Sequence, residues 1–248
     1  MNIQEIINNC QAQDGIIFLP NVTIDRSLYL QLKKLMENNG AKWKGGKVGG
    51  FLCQEADEVL ARLQDGDLSD RKKDYQFFAT PVELGEAMVD TLETITPDMR
   101  ILEPSAGQGA LITAMRNRFG SDIYPDYCEM MPENRRYLTA HFSGCHCVGD
   151  DFMQAEGLEG RYDRIVANPP FSKNQDIRHI RHMYDCLNPT GRMVTLCSPH
   201  FEFANDRESC NFRDWLYSVN AHVRLVPKGT FRSSGTDIEA RRIVIYKD

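Results

Sequence analysis

Asn168-Pro169-Pro170-Phe171 is a run whose residue types and order call for a chemical explanation. Two successive prolines deny Asn168 helical geometry and fix the direction of its amide. The amide oxygen and a neighbouring carbonyl can then accept both hydrogens of an exocyclic amine. Phe171 adds a face on which a planar base can stack. A stiff turn alone needs neither the asparagine nor the aromatic, so the combination suits an amino group conjugated to a ring. A second run, Ile101-Leu102-Glu103-Pro104-Ser105-Ala106-Gly107-Gln108-Gly109-Ala110, reads as a strand ending in an acid, a glycine turn and the start of a helix. Glycines let the backbone approach a ligand closely, and a helix N-terminus favours a negative group. The third glycine of the dinucleotide fingerprint is absent. A ligand with both an ammonium and a carboxylate, such as a methionine moiety, would satisfy Glu103 and the helix terminus together. Taken alone, a Gly-x-Gly turn is most often a plain strand-to-helix connection.

The elements that must position these residues alternate from Phe77 onward. Thr80-Pro81-Val82-Glu83 has the form of a capping box with proline at the first helical position, and Leu84, Met88 and Leu92 give the helix a buried side. Short apolar runs follow at Ile101-Leu102, Ile123 to Cys128, Cys147-Val148, Arg164 to Ala167, Met193 to Cys197, His222 to Val226 and Ile243 to Tyr246. Helical stretches such as Ala110 to Phe119 and Ile177 to Leu187 separate most of them, which predicts an α/β fold, a mostly parallel sheet with helices on both faces. Lys228 to Ala240 holds no convincing helix, so the last two strands are expected as an antiparallel edge pair. Asn168 then follows the carboxyl end of a strand, where open α/β sheets bind ligands.

Before that domain (74–248) lies a small α+β module (1–73). It reads as a helix after Asp25 with Leu30, Leu35 and Met36 inward, a hairpin over Lys42 to Phe51, a second helix over Glu55 to Gln64, and a polar linker from Asp67 to Asp74. The stretch Lys33 to Lys47 carries Lys33, Lys34, Lys42, Lys44 and Lys47 against a single acid, Glu37. The next stretch, with Glu55, Asp57, Glu58, Asp65, Asp67 and Asp70, is acidic, and the whole chain of 248 residues carries a formal charge of −6. That balance excludes a nonspecific nucleic-acid coat but not a local groove. Trp43 among Lys42, Lys44 and Lys47 is either a nucleic-acid contact or a core tryptophan beside solvated lysines. No run of roughly 18 apolar residues predicts a membrane span, and MNIQEIINNC lacks the pattern of a signal peptide, so a cytoplasmic location is expected. Eight cysteines without a regular framework read as reduced thiols. Cys145-His146-Cys147 lacks the second pair a zinc site needs. Asp176, His179 and His182 share a helix face that reads as a satisfied surface rather than a metal site.

The order Phe78-Ala79-Thr80-Pro81, Glu103 to Gly109, Asp150-Asp151-Phe152 and Asn168 to Phe171 resembles the N6-adenine DNA methyltransferases of gamma-type motif order. The resemblance covers about Tyr75 to the end. It implies a Rossmann-like seven-stranded sheet with a reversed last strand, and S-adenosylmethionine as cofactor. By position, Phe78, Thr80, Pro81, Glu103, Pro104, Ser105, Ala106, Gly107 and Gly109 belong to the cofactor site. Glu129 would take the ribose hydroxyls, Asp151 (preferred over Asp150) the adenine amino group, and Phe152 the adenine ring. Asn168, Pro169, Pro170 and Phe171 would be catalytic, holding a flipped adenine whose amino nitrogen attacks the methyl group in line. No cytosine-C5 nucleophile motif is present, since Cys197-Ser198-Pro199 has the wrong order.

The resemblance also implies DNA as substrate, with Lys42, Trp43, Lys44, Lys47 and Lys173 as candidate contacts. Gamma enzymes continue into a target-recognition region, whereas this sequence ends just after the last strand. The small module, relaxed specificity or a specificity partner is expected to fill that role. An RNA adenine, a protein glutamine amide and a catalytically silent cofactor-binding subunit remain as alternatives.

Overall fold

The chain divides into a small unit, Met1–Phe77, and a large unit, Phe78–Asp248. The computed structural model describes residues 2–53, 55–69, 79–234 and 237–248, so Phe78 and the linker beyond Ser69 lie outside the described residues. The small unit runs α1 (Ile3–Asn8), β1 (Gln11–Gln13), β2 (Ile16–Phe18), α2 (Arg26–Asn38), β3 (Lys42–Lys44), β4 (Gly50–Leu52) and α3 (Ala56–Gln64). Its antiparallel sheet has the order β1-β2-β4-β3. The expected hairpin is β3–β4, pairing Trp43 with Phe51. Helix α1 and the β1–β2 hairpin come as additions, because three-residue strands carry too little periodicity to read. In α2 the buried stripe holds Leu32 and Met36, whereas Leu30, expected inward, is 54% exposed. Leu30 and Leu32 stand about 200° apart around a helix, so one of them must face solvent.

In the large unit each apolar run forms a strand. The elements are α4 (Val82–Val89), β5 (Ile101–Glu103), α5 (Ala110–Phe119), β6 (Asp126–Cys128), α6 (Pro132–His141), β7 (His146–Gly149), β8 (Tyr162–Ala167), α7 (Gln175–Cys186), β9 (Leu187–Cys197), α8 (His200–Phe203), α9 (Arg207–Ser218), β10 (His222–Val226) and β11 (Ala240–Tyr246). The sheet order is β10-β11-β9-β8-β5-β6-β7. β11 pairs antiparallel with both β9 and β10, which makes it the reversed last strand. β5 is buried at all three positions, as a central parallel strand requires. One apolar cluster takes in Leu84 and Met88 of α4, Leu111 and Met115 of α5 and Leu138 of α6. A second takes in Ile180 and Met183 of α7 and Phe212 and Leu216 of α9. Helices thus cover both faces. Among the described residues no helix is long and apolar enough to cross a membrane.

The Asp176 face of α7 corrects the surface reading. Asp176 is fully buried and His179 is 8% exposed. Asp176 accepts from the Ser198 backbone N–H at 2.8 Å and from Cys197 Sγ at 3.4 Å, so it clamps α7 to the end of β9. The polar residues lie inward because that face packs against Phe152, whose ring centroid is 5.5 Å from His179 and 4.5 Å from His182. Burial pushes His179 down to about 4, so it stays neutral there.

Candidate active site at the carboxyl ends of the central strands

The strand order turns around between β5 and β8, which places the switch point of the sheet at their carboxyl ends. Glu103 is the last residue of β5, and Asn168 directly follows β8. Asn168 Nδ2 donates to Thr80 Oγ1 at 3.2 Å, joining two motifs 88 residues apart. This contact replaces the expected capping box. Pro81 stands at the N-cap of α4 without a side-chain cap, and its carbonyl accepts from the Gly85 N–H at 2.9 Å. Thr80, 9% exposed, serves the asparagine instead of the helix. The other half of the amide is an oxygen, whose chemistry is that of an acceptor suited to an amine hydrogen.

Pro169 is buried, and Phe171 is half-buried against the α4–α5 side of the core. Lys173 and Asn174 follow with φ of 53° and 57°, two successive left-handed non-glycine residues. Each such residue costs on the order of 1 kcal/mol, so the surroundings must hold the turn. Arg178 Nη2 donates to the Lys173 carbonyl at 3.0 Å, and Asn174 Nδ2 donates to Glu208 Oε2 at 3.1 Å. Lys173 itself is exposed.

The glycine turn is held by the second acid. Gly107 N–H donates to Glu129 Oε2 at 2.7 Å, and Met131 N–H donates to Oε1 at 2.8 Å. Buried Asn134 adds a bond from Nδ2 at 3.3 Å, a support that sequence reasoning missed because it follows from the α6 start rather than from any motif. Burial raises Glu129 above the usual carboxylate range against these three donors. Gly107 and Gly109 have φ of 56° and 77°. A Cβ on Gly109 would lie 2.6 Å from the Phe142 ring, which Arg116 covers at 5.5 Å. The turn therefore has no room for a side chain there. Pro104 and Ala106 are buried and Ser105 half-buried along the same turn.

Glu103 is 1% exposed, and its Oε2 has no hydrogen-bond partner. Burial and the neighbouring Glu129 hold its carboxyl well above the ordinary range, with only the Ile112 backbone N–H opposing. A buried carboxylate oxygen without a partner costs free energy unless a ligand supplies a donor. This orphan oxygen is what the ammonium of a methionine moiety would satisfy, so the residues present fit S-adenosylmethionine. Further along, Asp151 caps the 3-10 turn Phe152–Gln154, accepting from Met153 N–H and Gln154 Nε2 at 2.9 Å each. Asp150 pairs with Arg135 at 3.1 Å with its side chain 68% exposed. Phe152 is 2% exposed and packs on His179 and His182.

In the small unit, Lys42, Trp43 and Lys44 form the exposed edge strand β3, and Lys47 lies in the turn after it. Trp43 packs edge-on against Phe51 at 5.0 Å and is 37% exposed. None of the three lysines has an ion-pair partner among the described residues.

No protein-family model and no curated protein matches this sequence. Among solved structures, it is similar to the methyltransferase subunit of a type I restriction-modification system from Streptococcus thermophilus. The TM-score is 0.60 at 16% identity, over 77% of this chain and 49% of that one. The type I restriction enzyme EcoKI M protein gives 0.58 at 16% identity, over 90% and 55%. TrmN from Thermus thermophilus gives 0.51 at 18% identity, over 81% and 56%. The large unit thus has the Rossmann-like fold of the class I methyltransferases. The chain spans about half the length of the type I subunits it matches.

Proposed function

We propose that the large unit transfers a methyl group from S-adenosylmethionine to the exocyclic N6 amino group of adenine in DNA. The observation that carries this reading is the Asn168–Thr80 contact, which ties the loop after β8 to the segment before α4 at the carboxyl end of the sheet, where β5 ends in Glu103 with its orphan carboxylate oxygen. When bound, the cofactor supplies an electrophilic methyl group. Glu103 holds its ammonium, the Gly107–Gly109 turn lies against its methionine part, and Glu129, Asp151 and Phe152 are assigned to its nucleoside. Asn168 and the Pro169 carbonyl accept the two amino hydrogens of the target base, which directs the nitrogen lone pair outward. Phe171 stacks on the ring of the flipped base.

DNA is favoured over RNA or a protein amide because the motif set resembles the adenine DNA enzymes, and because two of the similar structures are by name components of restriction systems. On that pattern a specificity partner completes target choice. The test is methyl transfer from labelled S-adenosylmethionine to unmethylated duplex DNA, followed by nucleoside analysis. Label is expected as N6-methyladenine. Label confined to RNA or to a glutamine amide would replace the substrate, and cofactor binding with no transfer anywhere would leave a silent cofactor-binding subunit.

The small unit is assigned a substrate contact through Lys42, Trp43, Lys44 and Lys47. Reversing the three lysine charges to glutamate is expected to weaken duplex binding about tenfold or more at low salt, and to flatten its salt dependence. Cofactor affinity should not change. Duplex binding equal to wild type would remove this unit from the reading.

A further inference from the structure

β10 is the edge strand of the large sheet, and its register sets Arg224 directly across from Arg242 on β11. Like charges opposite each other on one sheet face repel, so the pair needs a compensating partner. Arg242 donates to the Ala87 carbonyl at 2.8 Å, and Arg224, which is exposed, has no partner among the described residues. Burial and the charge of Arg224 both lower Arg242 from its ordinary range, a sign of a cation short of anionic company.

Both arginines line a groove of about 310 Å³ with Asp90, Glu93, His222 and Tyr246. Its two acids are already paired. Asp90 accepts from Arg118 Nε at 2.7 Å, and Glu93 pairs with Arg192 at 2.7 Å. Arg192 also lies over the Tyr246 ring at 4.0 Å. Glu93 has φ 61° and ψ −73°, and Thr94 N–H donates to the Leu92 carbonyl at 2.9 Å across it. That is the strained form of a γ-turn, and such strain gathers at ligand clamps.

We propose that this groove is a phosphate-binding site. Two adjacent guanidinium forks, one anchored and one free, match the oxygens of a phosphate, and the pairing of both acids removes the charge that would repel it. Arg242 lies opposite Leu196, one residue nearer the carboxyl ends of the parallel strands than the register level shared by Ile243, Thr195 and Ala167. Tyr246, by contrast, lies opposite Arg192 near the start of the parallel run, so the groove runs along the outer strands toward the amino end of that run. The phosphate is either a phosphodiester of a nucleic-acid strand or the head of a free phosphate compound. This inference does not depend on methyl transfer.

The test uses the full chain without cofactor and two probes: pyrophosphate, by calorimetry, and a short labelled duplex of G·C pairs only, by anisotropy across a salt series. In Arg224→Gln/Arg242→Gln, binding of whichever probe is the ligand is expected to fall about tenfold or more. If the duplex is the ligand, the salt slope should also fall by about 1–2. Loss confined to pyrophosphate identifies a small phosphate compound, and loss of duplex binding identifies a nucleic-acid backbone. The single variant Arg224→Gln, at an exposed position, should weaken the same probe without lowering the melting temperature. The proposal is overturned if neither probe binds the wild type, or if both bind the double variant as tightly.

Discussion

Asn168→Ala is expected to lower methyl transfer by about 10³-fold while leaving cofactor affinity essentially unchanged. The expectation follows from what the amide touches. Its Nδ2 donates to Thr80, and on the proposed reading its oxygen takes an amine hydrogen, so truncation removes that acceptor. Accepting an amine hydrogen matters more in the transition state than in the ground state, since the nitrogen gains positive charge as it bonds to carbon. The loss should therefore appear in kcat rather than in KM. Thr80→Val separates orientation from chemistry. It deletes one neutral hydrogen bond, worth about 0.5–1.5 kcal/mol, so kcat should fall roughly tenfold or less. If Thr80 serves the cofactor alone, the change would appear in cofactor affinity with kcat intact. Transfer by Asn168→Ala at close to the wild-type rate would sink the proposed mechanism.

The parts of this architecture legible in the sequence are those where periodicity and chemistry agree. Seven apolar runs became seven strands, most plainly at the centre, where β5 is buried at all three positions and reads as a continuous apolar stretch. The helix Ala110–Phe119 was readable end to end because Gly109 and Gly120 flank it. Local rules failed where a side chain serves a distant element. Thr80 has the composition of a helix cap but holds Asn168, a contact no window of sequence can contain. Asp176 and His179 have the composition of a helix surface but face inward: Asp176 is satisfied by the Ser198 N–H, while His179 packs on Phe152 with its Nδ1 unpartnered. Conflicts of this sort gather at sites that carry function. The strained Lys173–Asn174 turn directly after Phe171 belongs with them, since no local propensity favours two such residues in succession.

Glu103→Gln is expected to act in opposite directions on the free and the liganded protein. The free carboxyl is raised by burial and by Glu129, so it contributes its full stability only below the ordinary carboxylate pKa and loses it as pH rises through its own raised value. The amide does not ionise. As pH rises above the ordinary carboxylate range, the free variant should therefore lose less stability than the wild type in a denaturant titration. Cofactor binding has the reverse sign. An ammonium beside Glu103 favours the ionised carboxylate, so wild-type affinity should rise with pH across the titration, with release of a proton that calorimetry in buffers of different ionisation enthalpy detects. In the variant the ammonium meets a neutral amide. The loss of a charged hydrogen bond, about 1.5–3 kcal/mol, predicts roughly 10–100-fold weaker binding with a flat pH profile. Methylthioadenosine, which lacks the amino-acid moiety, should bind both proteins alike. Equal weakening of both ligands would show that Glu103 only shapes the pocket, and unchanged S-adenosylmethionine affinity would place the ammonium elsewhere. The buried acid is thus a stability cost that the free protein carries so that a cationic ligand finds its partner already desolvated, and the two measurements together separate that cost from the affinity it supports.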